Sequence, residues 1–317
     1  MILPTITDVR AAALRIQSRL HRTPVLTSNS LNSSTGANLF FKCENLQKTG
    51  AFKARGATNA VFQLSPEESA QGVATHSSGN HGAALALAAS WRGIPAYIVM
   101  PENAASVKRR AVEAYGGRVI TCAPTLASRE EALARILRET GAVFIPPYNH
   151  PHIIAGQGTA ALELLEDVPN LDVVMAPVGG GGLLSGTALV VKSFGSATQT
   201  WGAEPALAND AFLSLQNGRI MPVQSTQTIA DGLRTSLGEL TFALISQHVS
   251  RILTASEEDI VRAMRLLWER MKMVVEPSGA VPLAAVLAHR EILAGKRVGL
   301  ILSGGNVDLE RLPWKRL

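Results

Sequence analysis

Four consecutive glycines, Gly179, Gly180, Gly181 and Gly182, follow the apolar run Val173 to Val178 and precede a helix-forming stretch, Ser185 to Val191. A backbone without Cβ atoms can close around an anion, and a helix N-terminus behind it adds converging N–H groups and a favourable dipole. The segment is a candidate phosphate cradle. Glycines at a strand-to-helix turn also permit tight packing, so composition alone leaves both readings open. No Lys-Ser or Lys-Thr pair follows, as a Walker loop would require. Leu183 and Leu184 occupy the later glycine region of a dinucleotide fingerprint, and the next strand ends in Glu204-Pro205. A phosphate site without nucleotide features points to a smaller phosphorylated cofactor, and so to lysines in apolar surroundings.

Lys53 stands in Thr49-Gly50-Ala51-Phe52-Lys53-Ala54-Arg55-Gly56-Ala57, among small residues and one aromatic ring. Partial desolvation lowers an amine's pKa and favours the neutral form that Schiff-base chemistry needs. The plainer reading is a surface lysine at a helix start. Thr75-His76-Ser77-Ser78-Gly79-Asn80-His81-Gly82 joins a strand at Val73 to a helix beginning near His81. Polar and glycine residues at the carboxyl end of a parallel strand lie where α/β sheets bind ligands, and their N–H groups suit a carboxylate. Helix capping by Asn80 or Ser78 is compatible with that role. Ser303-Gly304-Gly305-Asn306 also follows an apolar strand, Val298 to Leu302, where an ordinary turn is the alternative.

The elements that must position these residues read as α/β twice over. Gly93 precedes Ala96 to Met100 and Pro101, Gly117 precedes Arg118 to Cys122 and Pro124, and Gly141 precedes Ala142 to Ile145 and Pro146; these glycines are 24 residues apart. The intervening segments, His81 to Arg92, Ser106 to Tyr115 and Ser128 to Glu139, are rich in helix formers, and glycine commonly follows a helix C-terminus. Such alternation implies crossover units on a parallel sheet, with Val73 to His76 as a further strand. A second series has strands at Val173 to Ala176, Thr200 to Ala203, Ile252 to Thr254 and Val298 to Leu302. Its helices include Glu257 to Met271 behind the N-cap Ser256, and Gly279 to His289 after Pro277. Two open-sheet α/β domains are expected, a small one at 70–149 and a large one from 1–69 and 150–317. No linker or low-complexity tract separates them, so they should pack closely.

At 317 residues, 46% hydrophobic and 17% charged, the chain can bury a core sufficient for two ordinary domains. The start, Met1 to Arg22, lacks the basic and unbroken apolar character of a signal peptide, and no apolar run reaches the ~20 residues of a membrane span. A cytoplasmic protein with no membrane partner is expected. Cys43 and Cys122 sit in strand-like apolar contexts outside any CxxC and read as buried free thiols. The net charge of +5 is dispersed, and its densest cluster, Lys108-Arg109-Arg110 beside Glu113, reads as a solvated helix face. Nucleic acid is therefore not expected as a partner.

Together these segments resemble the fold-type II pyridoxal-phosphate (PLP) enzymes, whose architecture is tryptophan synthase β-like, and within them the branch of serine racemase and the hydroxyaspartate ammonia-lyases. The resemblance runs from about Arg22 to Asp308. It rests on the Lys53 segment, the Ser77 to Gly82 loop, Ala155-Gly156-Gln157-Gly158-Thr159, the glycine loop, Glu276-Pro277-Ser278-Gly279 and Ser303 to Asn306, in the family's order. It implies PLP in the cleft between the domains, held by Lys53 as a Schiff base and flanked by Phe52. Gly179 to Gly182 and Leu183 would bind the phosphate, Asn80 the phenolic oxygen and Ser303 the pyridine nitrogen. A neutral hydroxyl at that nitrogen weakens the carbanion sink and favours elimination.

The implied reaction is loss of water and then ammonia from 3-hydroxyaspartate, serine or threonine, giving a 2-oxo acid. Ser77, Ser78, Gly79, Asn80 and His81 are the substrate loop, with Arg129 as the candidate cation for a distal carboxylate and His150 as second choice. The racemase-like branch holds a divalent cation through a Glu, a backbone carbonyl and an Asp at the spacing of Glu204, Ala208 and Asp210, a donor set suited to Mg²⁺ or Ca²⁺, with Mn²⁺ a further candidate. Two solvated loop carboxylates are the alternative reading there. A homodimer is expected. Ser78 stands where many threonine dehydratases have Ala, and with Lys53 it would form a two-face acid/base pair, so racemisation is the rival activity. A β-replacement synthase fits less well, because such relatives carry Thr-Ser-Gly-Asn-Thr in this loop. A non-catalytic ligand-binding module is opposed by intact Lys53, Ser78 and Ser303. Tyr148-Asn149-His150 stands where related enzymes vary, and only Val307 to Leu317 follow Asn306, so isoleucine-type feedback through a C-terminal domain is not expected.

Overall fold

The computed structural model describes residues 2–77, 79–104, 106–195 and 197–316. Strands β1 (Val25–Leu26), β2 (Asn38–Lys42), β7 (Val173–Pro177), β8 (Gln199–Pro205), β9 (Arg251–Ala255) and β10 (Arg297–Ile301) form one sheet; β3 (Val73–His76), β4 (Ala96–Pro101), β5 (Arg118–Cys122) and β6 (Val143–Phe144) form another. The six-stranded order is β1-β2-β10-β7-β8-β9, parallel except for the short antiparallel β1. The four-stranded order is β5-β4-β3-β6, parallel throughout. Every residue of β7 is buried, as expected of a parallel strand covered on both faces.

The helices are α1 (Ile6–Ile16), α2 (Asn29–Thr35), α3 (Lys53–Gln63), α4 (Pro66–Ser69), α5 (Asn80–Arg92), α6 (Ser106–Ala114) and α7 (Leu126–Thr140). They continue with α8 (Pro151–Asp167), α9 (Gly182–Ser193), α10 (Asp210–Asn217), α11 (Glu239–His248), α12 (Glu257–Met271), α13 (Pro277–Ala288) and α14 (Arg290–Leu293). Ser256 caps α12 by accepting the Asp259 N–H at 3.1 Å. Gly93 and Gly141 end α5 and α7 in the left-handed region. After α6 that role falls to Gly116, not Gly117, which packs on Val112 and Ala86. Strand β2 ends beside Cys43, in line with the strand-like context and burial read for that cysteine, whereas Cys122, at the end of β5, is only partly buried.

Parallel strands all present their carboxyl ends to one edge, so each βα loop falls at the same side of its sheet. The loop after β3, the glycine loop after β7 and the turn after β10 are of this kind. Behind them helices α3 and α9 both pack on α8. At two places the contact is backbone on backbone: a Cβ on Gly156 would lie 2.6 Å from the Gly56 Cα, and one on Gly186 2.6 Å from the Gly158 nitrogen.

Gly156→Ala must separate α3 from α8, because the added methyl meets main chain that cannot rotate away. The expected loss is about 1–3 kcal/mol, the usual range for an overpacked core, measured by urea unfolding. An unchanged midpoint would show that these helices are not rigidly apposed.

Candidate active site

Lys53 is the first residue of α3, and its ammonium donates to the Pro147 carbonyl at 2.6 Å and lies 5.1 Å from the centre of the Phe52 ring. Among the described residues no carboxylate pairs with it, and desolvation pushes its pKa down to about 8. The surface-lysine reading therefore fails. The Phe52 N–H donates to the Ser303 carbonyl at 3.0 Å, so the turn after β10 lies against the start of α3. A bridge between Ala51 and Gly304 reinforces that contact.

Asn80 is tied from both sides of the cleft. Its amide nitrogen donates to Glu276 Oε1 at 2.7 Å, and its oxygen accepts from Asn306 Nδ2 at 3.0 Å. Asn306 also donates to the Thr49 carbonyl at 2.7 Å. These bonds fix which face of the Asn80 amide is the donor, leaving its second N–H for a ligand oxygen. Asn80 is thus not the N-cap of α5: it is the first helical residue, and Gly79 holds the cap position without a side-chain bond. Glu276 is buried, with Oε2 lacking a partner; burial raises its pKa to about 7. Neither Glu276 nor Asn306 was singled out individually from the sequence.

Of the substrate loop, Ser77 and Gly79 hold the turn through a Gly79 N–H to Ser77 Oγ bond of 3.3 Å. Ser78 lies outside the described residues. The His81 ring is buried, with Nε2 3.0 Å from the Ile145 carbonyl and Nδ1 unpartnered. A carbonyl only accepts, so Nε2 carries the proton, and burial drives the ring's pKa down to about 3. The ring is therefore neutral, and any part of His81 in binding an anion belongs to its backbone.

Each glycine of the Gly179–Gly182 loop is packed on its outer side. A Cβ at Gly179 would meet Leu233 at 2.9 Å, at Gly180 the Tyr148 ring at 2.4 Å, and at Gly182 Tyr148 at 3.1 Å. Gly181 has φ 85°, a conformation that disfavours side chains, and α9 begins at Gly182. Packing thus accounts for much of the glycine content, while the helix N-terminus retains the free N–H groups that suit a phosphate. Leu183 is buried in the first turn of α9. Tyr148 follows Pro147, the acceptor for Lys53, so a single segment links the lysine to the loop.

Glu204 and Asp210 are both buried, which excludes the solvated-carboxylate reading. Glu204 accepts the N–H groups of Ala211 and Phe212 at 2.9 and 2.8 Å. Among the described residues neither Asp210 oxygen makes a full hydrogen bond, although the backbone N–H groups of Asp210 and Leu237 lie near enough to favour its charged form. Burial raises Glu204 well above its usual range, with Asp210 adding to the effect, and lifts Asp210 to about 7. Ala208 lies between them in a 3₁₀ turn. Among the described residues no three His, Cys, Asp or Glu side chains converge. Two carboxylates flanking a turn carbonyl, one of them short of full hydrogen bonds, nevertheless fit a hard cation that brings its own waters.

Arg129, in the first turn of α7, donates to the Thr125 carbonyl at 3.3 Å and adds to the burial that lowers the pKa of His76 at the end of β3. Its charge is thus felt at the strand end from which the substrate loop departs. His150 instead caps α8 through His152 N–H at 3.2 Å. Lys108 overturns the solvated-face reading of its cluster: it is mostly buried, packs against Gly79 and pairs with Asp231 across the cleft. Arg109 stays on the surface with Glu113, 3.6 Å away. Among the described residues no helix is long and apolar enough to cross a membrane.

A family model described as pyridoxal-phosphate dependent enzyme matches residues 16–304. The chain is 52% identical over 314 residues to a β-hydroxyaspartate dehydratase of Paracoccus denitrificans, covering 99% of this chain and all of that protein. It is 51% identical over 312 residues to a serine racemase of Arabidopsis thaliana, covering 97% and 94% of the two chains. The solved structure of maize serine racemase superposes with a TM-score of 0.96 at 46% identity, covering 99% of this chain and 97% of that one.

An amine with a pKa of about 8 is half neutral there, whereas an ordinary lysine is protonated until about 10.5. The rate at which the cofactor-free protein takes up pyridoxal phosphate should rise with pH and level off above about 8, followed by stopped-flow absorbance. A rise continuing to pH 10 or beyond would show that Lys53 is not desolvated.

Proposed function

The chain belongs to the family of pyridoxal-phosphate-dependent enzymes, and from that premise we propose that it is an ammonia-lyase acting on a small β-hydroxy amino acid, with 3-hydroxyaspartate as the leading substrate. The observation that carries this reading is the half-buried Lys53, without a carboxylate partner among the described residues, beside the Ser303 turn and bonded to the segment that covers the glycine loop. The cofactor, when bound, supplies an electron sink for the charge left at Cα. The chain would hold it through Lys53, Gly179, Gly180, Gly181, Gly182 and Leu183, with Asn80 at its phenolic oxygen, Ser303 at its ring nitrogen and Phe52 alongside. Lys53, whose lowered pKa gives it a neutral fraction that an ordinary lysine lacks, is suited to take the Cα proton. The N–H groups of Asn80 and His81, at the start of α5, suit the α-carboxylate, and Arg129 supplies a cation at that edge for a second carboxylate. Hydroxyaspartate leads because the Paracoccus relative is named for it.

Racemisation is the second reading, supported by likeness to the plant serine racemase. It needs a proton donor on the face opposite Lys53, and Ser78 is the residue proposed. One experiment separates the readings: 2-oxo acid release and chiral analysis with both enantiomers of serine and threonine and all four 3-hydroxyaspartates. Arg129→Ala should depress hydroxyaspartate elimination ~10²-fold or more, in line with loss of a charge-assisted bidentate contact, and serine elimination far less. Ser78→Ala should remove racemisation and spare L-isomer elimination. Absence of 2-oxo acid from every substrate would reject the lyase.

We further propose that Glu204, Ala208 and Asp210 hold Mg²⁺, Mn²⁺ or Ca²⁺ and that the protein is a homodimer. In chelator-treated protein the folded Asp210 keeps its proton to about 7, the unfolded one only to about 3.8, so stability should fall as pH rises through that interval. Mg²⁺ should restore it by mass action. Asp210→Asn should flatten the pH response and abolish the Mg²⁺ effect in thermal melts; a variant that still responds places the cation elsewhere.

A further inference from the structure

Beneath the first turn of α3 four buried or nearly buried charges share one site. The Arg55 side chain is wholly buried, and its five N–H donors all find acceptors. Nε and Nη2 reach the two Glu44 oxygens at 2.7 and 2.8 Å, while Nη1 and Nη2 reach the two Glu163 oxygens at 2.7 Å each. Nη1 also donates to Thr159 Oγ1 at 3.1 Å. Lys42 Nζ bonds to Glu163 at 2.6 Å and to the Thr23 carbonyl at 2.7 Å, and the Thr23 hydroxyl donates to Glu44 at 2.5 Å. Two cations thus face two anions, and the carboxylates belong to different elements: Glu44 follows β2, and Glu163 lies on α8.

A cluster like this is a costly way to fill space, since well-packed apolar side chains of similar volume often stabilise as much or more. It offers direction instead. Helix α3 meets α8 closely at Gly56 and Gly156, with Gln157 and Asn59 hydrogen-bonding across the contact, and Arg55 adds a tie to Glu44, which lies outside both helices. Arg55 is two residues beyond Lys53, and at about 100° per residue the two side chains leave opposite sides of the helix. With side-chain ends roughly 6 Å from the axis, a rotation of about 10° moves the Lys53 amine by about 1 Å. An error of that size at a reacting atom can cost ~10²-fold in rate.

We propose that Arg55, clamped by Glu44 and Glu163, is a positioning residue that sets the rotation of α3 and so the place of the Lys53 amine. The inference rests on Lys53 being the cofactor lysine. Arg55→Lys keeps the charge but loses the planar fork, and Glu163→Gln keeps the shape but removes one anion. Both should lower kcat about 10²-fold while KM stays within a few-fold. In the cofactor-free protein both should also slow pyridoxal phosphate uptake by Lys53 and shift its pH profile. For Arg55→Ala, methylguanidine at sub-denaturing concentration should restore part of the uptake rate. Its route would be the cavity of about 500 Å³ lined by Arg10, Gln17, His21, Arg22, Arg55 and Glu163.

A lower melting temperature with wild-type kcat and unchanged uptake would overturn the proposal and leave the cluster a matter of stability alone. Should Arg55→Lys fail to fold, Glu163→Gln decides by the same readings. Reductive trapping of the cofactor on a lysine other than Lys53 would overturn the underlying assignment instead, so the two failures are distinguishable.

Discussion

The apposition of α3 and α8 is the constraint to which the cleft is referred. Their backbones meet through glycines, so neither helix can shift without carrying the other. Lys53 starts the first helix; Tyr148 and Asn149 lie just ahead of the second, the former over the glycine loop and the latter accepting the Leu240 and Thr241 N–H groups at 3.0 and 3.4 Å. Through α9, which abuts α8 at Gly158 and Gly186, the loop that ends β7 joins the same frame. The amine and the anion site are therefore parts of one packed unit.

What was legible in the sequence is what leaves a local mark. A run of four glycines, a lysine among small residues and a polar loop after an apolar strand each depart from the surrounding composition, and they directed attention to Lys53, the glycine loop after β7 and the loop after β3. The alternation of helix and strand likewise gave the parallel architecture, because periodicity within a dozen residues reports burial directly. Around Cys43 the sequence showed a strand-like apolar context and a buried thiol, but the place of β2 beside β10 in the large sheet is a long-range pairing that no local pattern marks.

The partners of the site residues were not legible, for a different reason. Glu276 reaches Asn80 across 196 residues and Lys108 reaches Asp231 across 123. No local pattern marks such pairs. The cluster Lys108-Arg109-Arg110 has the composition of a solvated face and mostly behaves as one; only the fold turns its first member into the cleft. Glu204 and Asp210 show the converse, for a loop carboxylate reads as solvated until the helix behind it is placed.

The two walls of the cleft are joined by chemically unlike fasteners. At the floor Asn80 and Asn306, both partly buried, meet through neutral amides. At the rim Lys108 meets Asp231, whose carboxylate is 44% exposed. Mobile ions screen exposed charges over ~8 Å at physiological ionic strength but act little on neutral hydrogen bonds. Rising salt thus loosens the rim and spares the floor, so the mouth of the cleft responds to the ionic medium while the alignment of the amides beneath it does not.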